Sequence, residues 1–276
     1  MSNFTMPPTG FGPGSQPLDD QDDKLDYMPL PQDMRTYAPH LPDVEIEDET
    51  YGPALALLKE VAAACLNIGT TAEFDLSYLD VPNRALIAET LGEGEVAAKI
   101  WGVPALAVQE SVFAGVWCIS GAGVDRVDVA PVPPCVTADP FAPRRAAQGN
   151  DTPMQPGVQN APPLLVELLD KSAAFTKEAE LHVINLTLLP HTEPDLLWLD
   201  AALGEGSVTL LSRGYGNCRV SATAVRNVWR VQFFNSMDTL ILDTFEVTHA
   251  PEVVLAAEED LIDSGNRIIS VLEAIT

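Results

Sequence analysis

Basic residues are scarce in this chain of 276 residues. It has 15 lysines and arginines against 40 aspartates and glutamates, which gives a formal net charge of −25 at pH 7. A protein that binds nucleic acid needs a basic face for the phosphate backbone, so this balance argues against that class. The acidity suits a basic partner, or it only maintains solubility. Both interpretations stay open at this point.

Long apolar runs and clustered cysteines are also missing. No run approaches the roughly 20 apolar residues of a membrane-spanning helix, and the start of the chain has neither the basic nor the apolar region of a signal peptide. The four cysteines lie far apart, at Cys65, Cys118, Cys135 and Cys218. We therefore expect a soluble cytoplasmic protein with reduced thiols and no membrane insertion.

Motifs for catalysis and for metal binding are absent as well. No phosphate loop, nucleophile elbow or dinucleotide fingerprint occurs in the sequence. The histidines show no spacing typical of metal ligands; they are His40, His182, His191 and His249. The sequence therefore predicts no catalytic residue, no bound cofactor and no metal site. An unrecognised small-molecule enzyme is kept as an alternative.

One short string occurs twice in the chain. Residues 91–96 read Leu-Gly-Glu-Gly-Glu-Val, and residues 203–208 read Leu-Gly-Glu-Gly-Ser-Val, 112 positions later. The same displacement relates Trp117 to Trp229, in a chain with only four tryptophans. We interpret the chain as two diverged copies of one α/β unit.

Each unit is predicted to contain a helix, a strand, a short helix and an antiparallel meander of three or four strands, which gives the class α+β. Gly92 and Gly204 are predicted to end the short helices, so each Gly-Glu-Gly is a helix end that enters a strand rather than a phosphate loop. Apolar residues then alternate with polar ones. Gly115 and Asn227 are predicted to adopt positive φ in a turn between strands.

The predicted organisation has four parts. Residues 1–49 form a poorly ordered, acidic, proline-rich tail that contributes to binding more than to folding. Residues 50–130 form the first repeat, and residues 131–163 form an extended, proline-rich linker. Residues 164–276 form the second repeat, whose C-terminal helix is predicted to start near Pro251.

Residues 227–239 alternate aromatic with polar residues and then enter a short polar loop. This pattern is typical of a half-buried strand followed by a hairpin turn. It also suits an edge that gains a partner by strand addition or by an aromatic anchor. Both interpretations are carried forward.

Several short motifs together resemble the HupH/HyaF family of [NiFe]-hydrogenase expression and formation proteins, called HoxQ in some operons. In the second repeat they are Leu-Gly-Glu-Gly at 203–206, Arg-Gly-Tyr-Gly at 213–216, Asn-Val-Trp at 227–229, Asn-Ser-Met-Asp-Thr at 235–239 and Ala-Ala-Glu-Glu-Asp at 256–260. Near the N-terminus they are Gly-Pro-Gly-Ser-Gln at 12–16 and Tyr-Met-Pro at 27–29. The first repeat matches more loosely, because residues 101–104 read Trp-Gly-Val-Pro in place of Arg-Gly-Tyr-Gly.

The resemblance implies an accessory protein, not an enzyme. It implies a maturation chaperone that binds the precursor of the hydrogenase small subunit, an iron–sulfur subunit with a twin-arginine signal, before assembly and export. A thioredoxin-like accessory protein of the HyaE/HoxO type is the second implied partner. The alternative is a factor that delivers or protects an iron–sulfur cluster or iron for the same subunit.

The predicted partner-binding residues lie in these motifs. Glu205 and the acidic residues that begin the last helix are predicted to receive the arginines of the signal, because guanidinium groups pair well with carboxylates. Trp229 and Phe233 are predicted to contact apolar residues nearby. The full set is Gly12, Gly14, Ser15, Gln16, Glu205, Arg213, Tyr215, Asn227, Trp229, Phe233, Asn235, Met237, Asp238, Glu259, Asp260 and Asp263.

Overall fold

The structure, a computed structural model, describes residues 49–213 and 217–275. Residues 1–48, 214–216 and 276 lie outside that description, so the prediction made for the N-terminal tail is not tested. The elements of the first half (residues 52–129) are α1 (Gly52–Cys65), β1 (Ala72–Asp75), α2 (Val81–Leu91), β2 (Val96–Ile100), β3 (Leu106–Glu110), β4 (Val116–Gly121) and β5 (Val124–Val129).

The second half (residues 161–275) repeats this order of elements. A short helix, α3 (Pro134–Thr137), lies between the two halves. The second half contains α4 (Ala161–Ala174), β6 (His182–Asn185), α5 (Glu193–Leu203), β7 (Val208–Ser212), β8 (Asn217–Ala222), β9 (Val228–Phe234), β10 (Leu240–Val247) and α6 (Glu258–Ile275). The predicted α+β class is confirmed.

The ten strands of the described residues form one antiparallel sheet, in the order β1-β5-β4-β3-β2-β7-β8-β9-β10-β6. The order reads the same from either end once each strand is matched with its counterpart in the other half. At the centre β2 pairs with β7, and Ala98 lies opposite Leu210, its own counterpart 112 positions later. The two halves of the sheet are therefore related by a local two-fold axis that passes through this pair of strands. This symmetry is compatible with two diverged copies.

The predicted turn residues adopt the expected backbone. Gly92 and Gly204 follow α2 and α5 with φ of 57° and 66°. Gly115 and Asn227 have φ of 77° and 61° in the turns before β4 and β9, a region that glycine enters freely and asparagine tolerates. Both Gly-Glu-Gly strings thus lead from a helix end into a strand. We call residues 92–94 the first loop and residues 204–206 the second loop.

Apolar side chains on the two faces of the sheet form three clusters. Successive strand residues point to opposite faces. Val116 joins a cluster under α1, α2 and α6, and Val228 joins another under α4 and α5. Their neighbours Trp117 and Trp229 belong to a single cluster on the opposite face, which contains residues of both halves. The halves therefore share a core as well as a sheet.

The two tryptophans anchor this shared core. Both side chains are fully buried. The indole Nε1 of Trp117 donates to the Ala130 carbonyl at 2.9 Å, and that of Trp229 donates to the Thr248 carbonyl at 3.2 Å. A buried donor without an acceptor would cost roughly 1–3 kcal/mol, so each bond removes a penalty as well as orienting the ring.

The C-terminal helix α6 belongs to the second half in sequence but packs on the first. Ser264 Oγ donates to the Ala114 carbonyl at 2.9 Å. Gly265 permits close approach to α1, because a Cβ there would lie 3.0 Å from the Ala62 carbonyl oxygen. The predicted start of this helix near Pro251 is wrong. The preceding residues include a 3-10 turn, Glu252–Val254, and α6 itself begins at Glu258.

Within the described part of the chain, none of the helices has both the length and the hydropathy that crossing a membrane requires.

Candidate functional site

The second loop is bound by two arginines of the chain itself. Arg145 Nη2 lies 2.6 Å from Asp200 Oδ2 and 3.3 Å from Glu205 Oε1, and Arg144 Nη1 lies 3.7 Å from Glu205 Oε2. The backbone adds a short bridge, because Glu205 N donates to the Arg145 carbonyl and Arg144 N donates to the Glu205 carbonyl, each at 2.8 Å. The Glu205 carboxylate is therefore already paired, and a partner's arginine would have to displace these residues.

The arginines belong to a segment, residues 139–148, that we call the strap. Ser207 N donates to the Pro140 carbonyl, and Ser207 Oγ donates to the Asp139 carbonyl, both at 2.7 Å. The Phe141 ring meets the Trp229 ring edge-on, with centroids 5.2 Å apart. The strap thus fixes the second loop and also covers the buried tryptophan of the second half.

An arginine-lined cleft of about 260 Å³ opens beside the strap. Arg144, Arg219 and Arg230 line it together with Thr209, Ser221 and Gln232. Arg230 is held by Asp243 at 2.6 Å. Arg219 has no carboxylate partner among the described residues and lies over the Phe234 ring at 5.7 Å. Asp200 and Glu205 also line the cleft, so Arg219 is the lining arginine whose charge no described carboxylate offsets.

The hairpin between β9 and β10 carries three of the predicted residues. Asn235 Oδ1 accepts hydrogen bonds from the backbone N–H groups of Met237 and Thr239, each at 2.9 Å. Asp238 has φ of 56° and accepts from Asn217 Nδ2 at 3.1 Å. Met237 at the tip is 80% exposed. The two polar residues shape the loop, and Met237 is the side chain offered outward.

Arg213 lies near this hairpin. It lines a hollow of about 450 Å³ together with Asp238 and Phe234. Its backbone N–H also donates to the Glu95 carbonyl of the first half at 3.1 Å. The structure therefore places Arg213 and Asp238 at one surface. Tyr215 lies outside the described residues.

The structure contradicts two of the contacts predicted for β9, the aromatic contact of Trp229 and strand addition, while the contact of Phe233 stays a prediction. Trp229 is fully buried, so its side chain cannot reach a partner. Phe233 is half-buried against the same cluster. The strand itself is hydrogen-bonded to β8 on one side and to β10 on the other, which leaves no free edge for strand addition. Asn227 lies in the turn that precedes β9.

The acidic residues that begin α6 do not join Glu205 in a single cradle. Glu259, Asp260 and Asp263 are exposed, and no contact within the described ranges links them to the second loop. Asp260 instead lies near the first half. Burial raises the pKa of Glu110 there, and the negative charges of Glu95 and Asp260 raise it further.

The thiols are poorly suited to hold a metal ion. Burial raises the pKa of Cys65 to about 12, and raises the pKa values of Cys118, Cys135 and Cys218 to about 11. A thiol with such a pKa stays protonated at neutral pH, and the thiolate is the form that binds metals. Over residues 49–213 and 217–275, no group of three or more potential ligands is placed to hold a metal ion. Gly12, Gly14, Ser15 and Gln16 lie outside these ranges.

Comparison with known proteins places these features in a family. The C-terminal conserved region of the HupH hydrogenase expression proteins matches residues 158–275. The hydrogenase expression/formation protein HupH of Rhodobacter capsulatus is 61% identical over 278 residues, which cover 100% of this chain and 99% of that protein. This chain belongs to the HupH family.

Other HupH-family relatives also align over nearly their full length. The hydrogenase expression/formation protein HoxQ of Cupriavidus necator is 42% identical, over 99% of this chain and 98% of its own. The hydrogenase-1 operon protein HyaF of Escherichia coli K12 is 32% identical, over 95% and 94%. A solved HupH from Thiobacillus denitrificans is 29% identical, covers 42% of this chain and 96% of its own, and has a TM-score of 0.40. The family resemblance is confirmed, and it gives this chain a role in hydrogenase maturation.

The arginines of the strap escaped the sequence prediction for this HupH-family chain. They precede the conserved C-terminal region, and the acidic partners of Arg145 lie 55 and 60 residues away. One signal could have drawn attention to them. Arg144 and Arg145 are adjacent in a chain with only 15 basic residues, and such a pair in an acidic protein has many carboxylates with which to bind.

Proposed function

We propose that this chain is a non-catalytic chaperone of hydrogenase maturation, which binds the small-subunit precursor in the cytoplasm before assembly and export. One observation carries the proposal beyond family membership. The second loop contains Glu205, which was predicted to receive arginines, and Glu205 pairs with two adjacent arginines of the strap. This pairing supports binding of a partner whose signal also carries an arginine pair, which at the second loop would have to displace the strap.

The chain acts in this proposal by binding alone. Its net charge of −25 favours encounter with a basic signal. The exposed Met237 at the prebuilt hairpin tip offers an apolar contact, and methionine adapts readily to different partners. A thioredoxin-like accessory protein of the HyaE/HoxO type is the second partner that we propose.

The test is binding of the small-subunit precursor, with and without its twin-arginine signal, across a salt series. We expect tighter binding of the form that has the signal, and an advantage that shrinks with salt, because the Debye length falls from about 10 Å at 0.1 M to about 3 Å at 1 M. If neither form bound, the proposal would fail. If both forms of the precursor bound with the same affinity at every salt concentration, the chain would recognise another part of the precursor.

Iron and sulfide content of the purified protein distinguishes the alternative role in iron or cluster delivery. The raised thiol pKa values weigh against that role. Stoichiometric iron that is lost on replacement of Cys118 or Cys218 would favour it over a chaperone.

A further inference from the structure

The first loop has the same backbone anchoring as the second. Gly94 N donates to the Glu110 carbonyl at 2.7 Å. The residues 112 positions later make the same bond, because Gly206 N donates to the Ala222 carbonyl at 2.8 Å. Both loops follow a helix that ends in a positive-φ glycine. The two loops are therefore equivalent binding elements in their local geometry, and they can be compared group by group.

The backbone groups that hold the strap at the second loop have open counterparts at the first. Glu205 uses its N–H and its carbonyl to bind the strap, and Ser207 uses its N–H. The matching groups are the N–H and the carbonyl of Glu93 and the N–H of Glu95. None of these three has a hydrogen-bond partner among the residues that the structure describes. The first loop thus presents an unused set of donors and acceptors for an extended chain.

The space occupied by the strap is also open at the first loop. A Cβ on Gly204 would lie 2.4 Å from the Arg145 carbonyl oxygen and 2.6 Å from Ala147 N. Among the described residues, a Cβ on Gly92 would meet only the side chain of Val112, at 3.1 Å. No backbone segment of the described chain passes the first loop in the way that the strap passes the second.

Charge completes the comparison. Glu93 and Glu95 are exposed at the first loop, and Asp260 lies close enough to Glu110 for its charge to affect that carboxyl group. At the second loop the corresponding acidic charge is met by the strap arginines. Glu93 has no ion pair within the described ranges, so an arginine beside it would gain a charge-assisted hydrogen bond.

We propose that the first loop binds an extended peptide segment with two adjacent arginines, supplied by a partner protein. The backbone of the segment bridges Glu93, as the strap bridges Glu205, and its guanidinium groups pair with the carboxylates of Glu93 and Glu95. The choice of partner rests on the proposed function, since the twin-arginine signal of the small-subunit precursor carries such a pair. The binding chemistry of the loop does not depend on that choice.

The probe is a labelled synthetic peptide with the sequence of residues 138–148, titrated into the full chain, beside a version with both arginines replaced by lysine. We expect weaker binding of the lysine peptide, because lysine keeps the charge but cannot form bidentate pairs. Glu93→Lys should weaken binding of the arginine peptide by about tenfold or more, the loss expected for a charge-assisted contact. Glu60→Lys is the matched control, because Glu60 is exposed on α1 and undergoes the same change of charge.

Equal peptide affinities for the Glu93→Lys and Glu60→Lys variants would overturn the inference. Such a result would arise if the peptide only sensed the net charge or displaced the strap at the second loop. Melting curves of both variants, and the milder Glu93→Gln, check that the fold is retained. The precursor is titrated in the same way, and equal affinity for the two variants would exclude the first loop as its site. If wild-type chain failed to bind the precursor, the proposed function would fail, while the peptide result would still decide the chemistry of the loop.

Discussion

The two halves of the sheet can be compared element by element, and they differ in what completes them. The first half is covered by its own α1 and α2 and also by α6, which comes from the far end of the chain. The second half is covered by α4 and α5 on one face and by the strap, through Phe141, on the other. Each half thus depends on a segment that lies outside its own repeat in sequence. Although the strands are arranged symmetrically, neither half completes its apolar core from its own repeat alone.

A second difference concerns one buried position. Asn83 in α2 and Asp195 in α5 are counterparts, and both connect the short helix to the start of the longer helix before it. Asn83 accepts one backbone hydrogen bond, from Ala54 N at 2.9 Å, and donates to the Thr50 carbonyl and to Asp80. The Asp195 carboxylate instead only accepts, from backbone N–H groups that include that of Ala161. The same place therefore requires a donor in one half and a pure acceptor in the other.

Truncation of the chain to its second half is expected to have the largest effect on stability. A fragment of residues 161–276 lacks β2 as partner of β7, the strap over Trp229, and α1 beneath α6. We expect it to lose the cooperative transition of the full chain, because the apolar stripe of α6 and the edge of β7 would both be exposed. Calorimetry and far-UV circular dichroism measure this directly.

A longer fragment, residues 131–276, is the control for that experiment, because it keeps the strap but not α1. It should recover part of the structure and still melt below the full chain. If residues 161–276 alone melted cooperatively at the temperature of the whole chain, the halves would be independent domains and the shared core would contribute little.

The sequence was a good guide where the signals are local. The glycines that end α2 and α5 and the positive-φ residues Gly115 and Asn227 are set by the backbone conformations that a few neighbouring residues adopt. The repeat pattern also predicted which elements follow one another. These features depend on chain segments of a few residues, so periodicity and turn residues are sufficient to find them.

The sequence was a poor guide where contacts join distant segments. Ser264 bonds to Ala114, 150 residues away, and no local pattern says on which half α6 will pack. The alternation in β9 also has two explanations. Arg230 and Gln232 face a polar cleft while the strand is paired on both sides, so an interior strand here carries the same pattern as an edge strand.

Asp195→Ala is expected to give the second largest effect. Asp195 Oδ1 accepts from the backbone N–H groups of Gln159, Asn160 and Ala161 at 2.7–3.1 Å, and Oδ2 accepts from Thr192 N at 2.9 Å. Removal of the carboxylate leaves several of these donors unpaired, which should cost roughly 3 kcal/mol in the free energy of unfolding. Chemical denaturation at pH 7 measures the change.

The dependence on pH sharpens this comparison. Burial opposes ionisation of Asp195, but its four backbone hydrogen bonds outweigh burial and hold its pKa well below the usual range. A lowered pKa in the folded state contributes stability above the unfolded value of about 3.9, and that stability is lost as the pH falls below it. The stability difference between wild type and Asp195→Asn should therefore shrink below about pH 4.

Asn83→Asp provides the matched variant in the first half. The new carboxylate would face the Thr50 carbonyl and Asp80, where Asn83 donates hydrogen bonds at 3.0 Å and 2.7 Å. We expect destabilisation that grows as the pH rises and the carboxyl group ionises, so above about pH 4 Asp should be less stable than Asn at position 83 and more stable than Asn at position 195. If Asp were more stable than Asn at both positions at pH 7, the two positions would be interchangeable, and the comparison would be contradicted.

The smallest effect is expected at the surface of α6, and it tests what attaches this helix to the first half. Asp263 pairs with Arg267 at 3.7 Å with its side chain 66% exposed, and such exposed helical pairs contribute about 0.3–0.5 kcal/mol. Arg267 also donates to the Val112 carbonyl at 3.3 Å and lies over the Phe113 ring at 5.2 Å. Asp263→Asn should therefore lower the free energy of unfolding by no more than about 0.5 kcal/mol, and Arg267→Ala should lower it by more, because it also removes the contacts with the first half. If both substitutions had the same small effect in urea denaturation, the apolar stripe and the Gly265 contact would be what holds α6 in place.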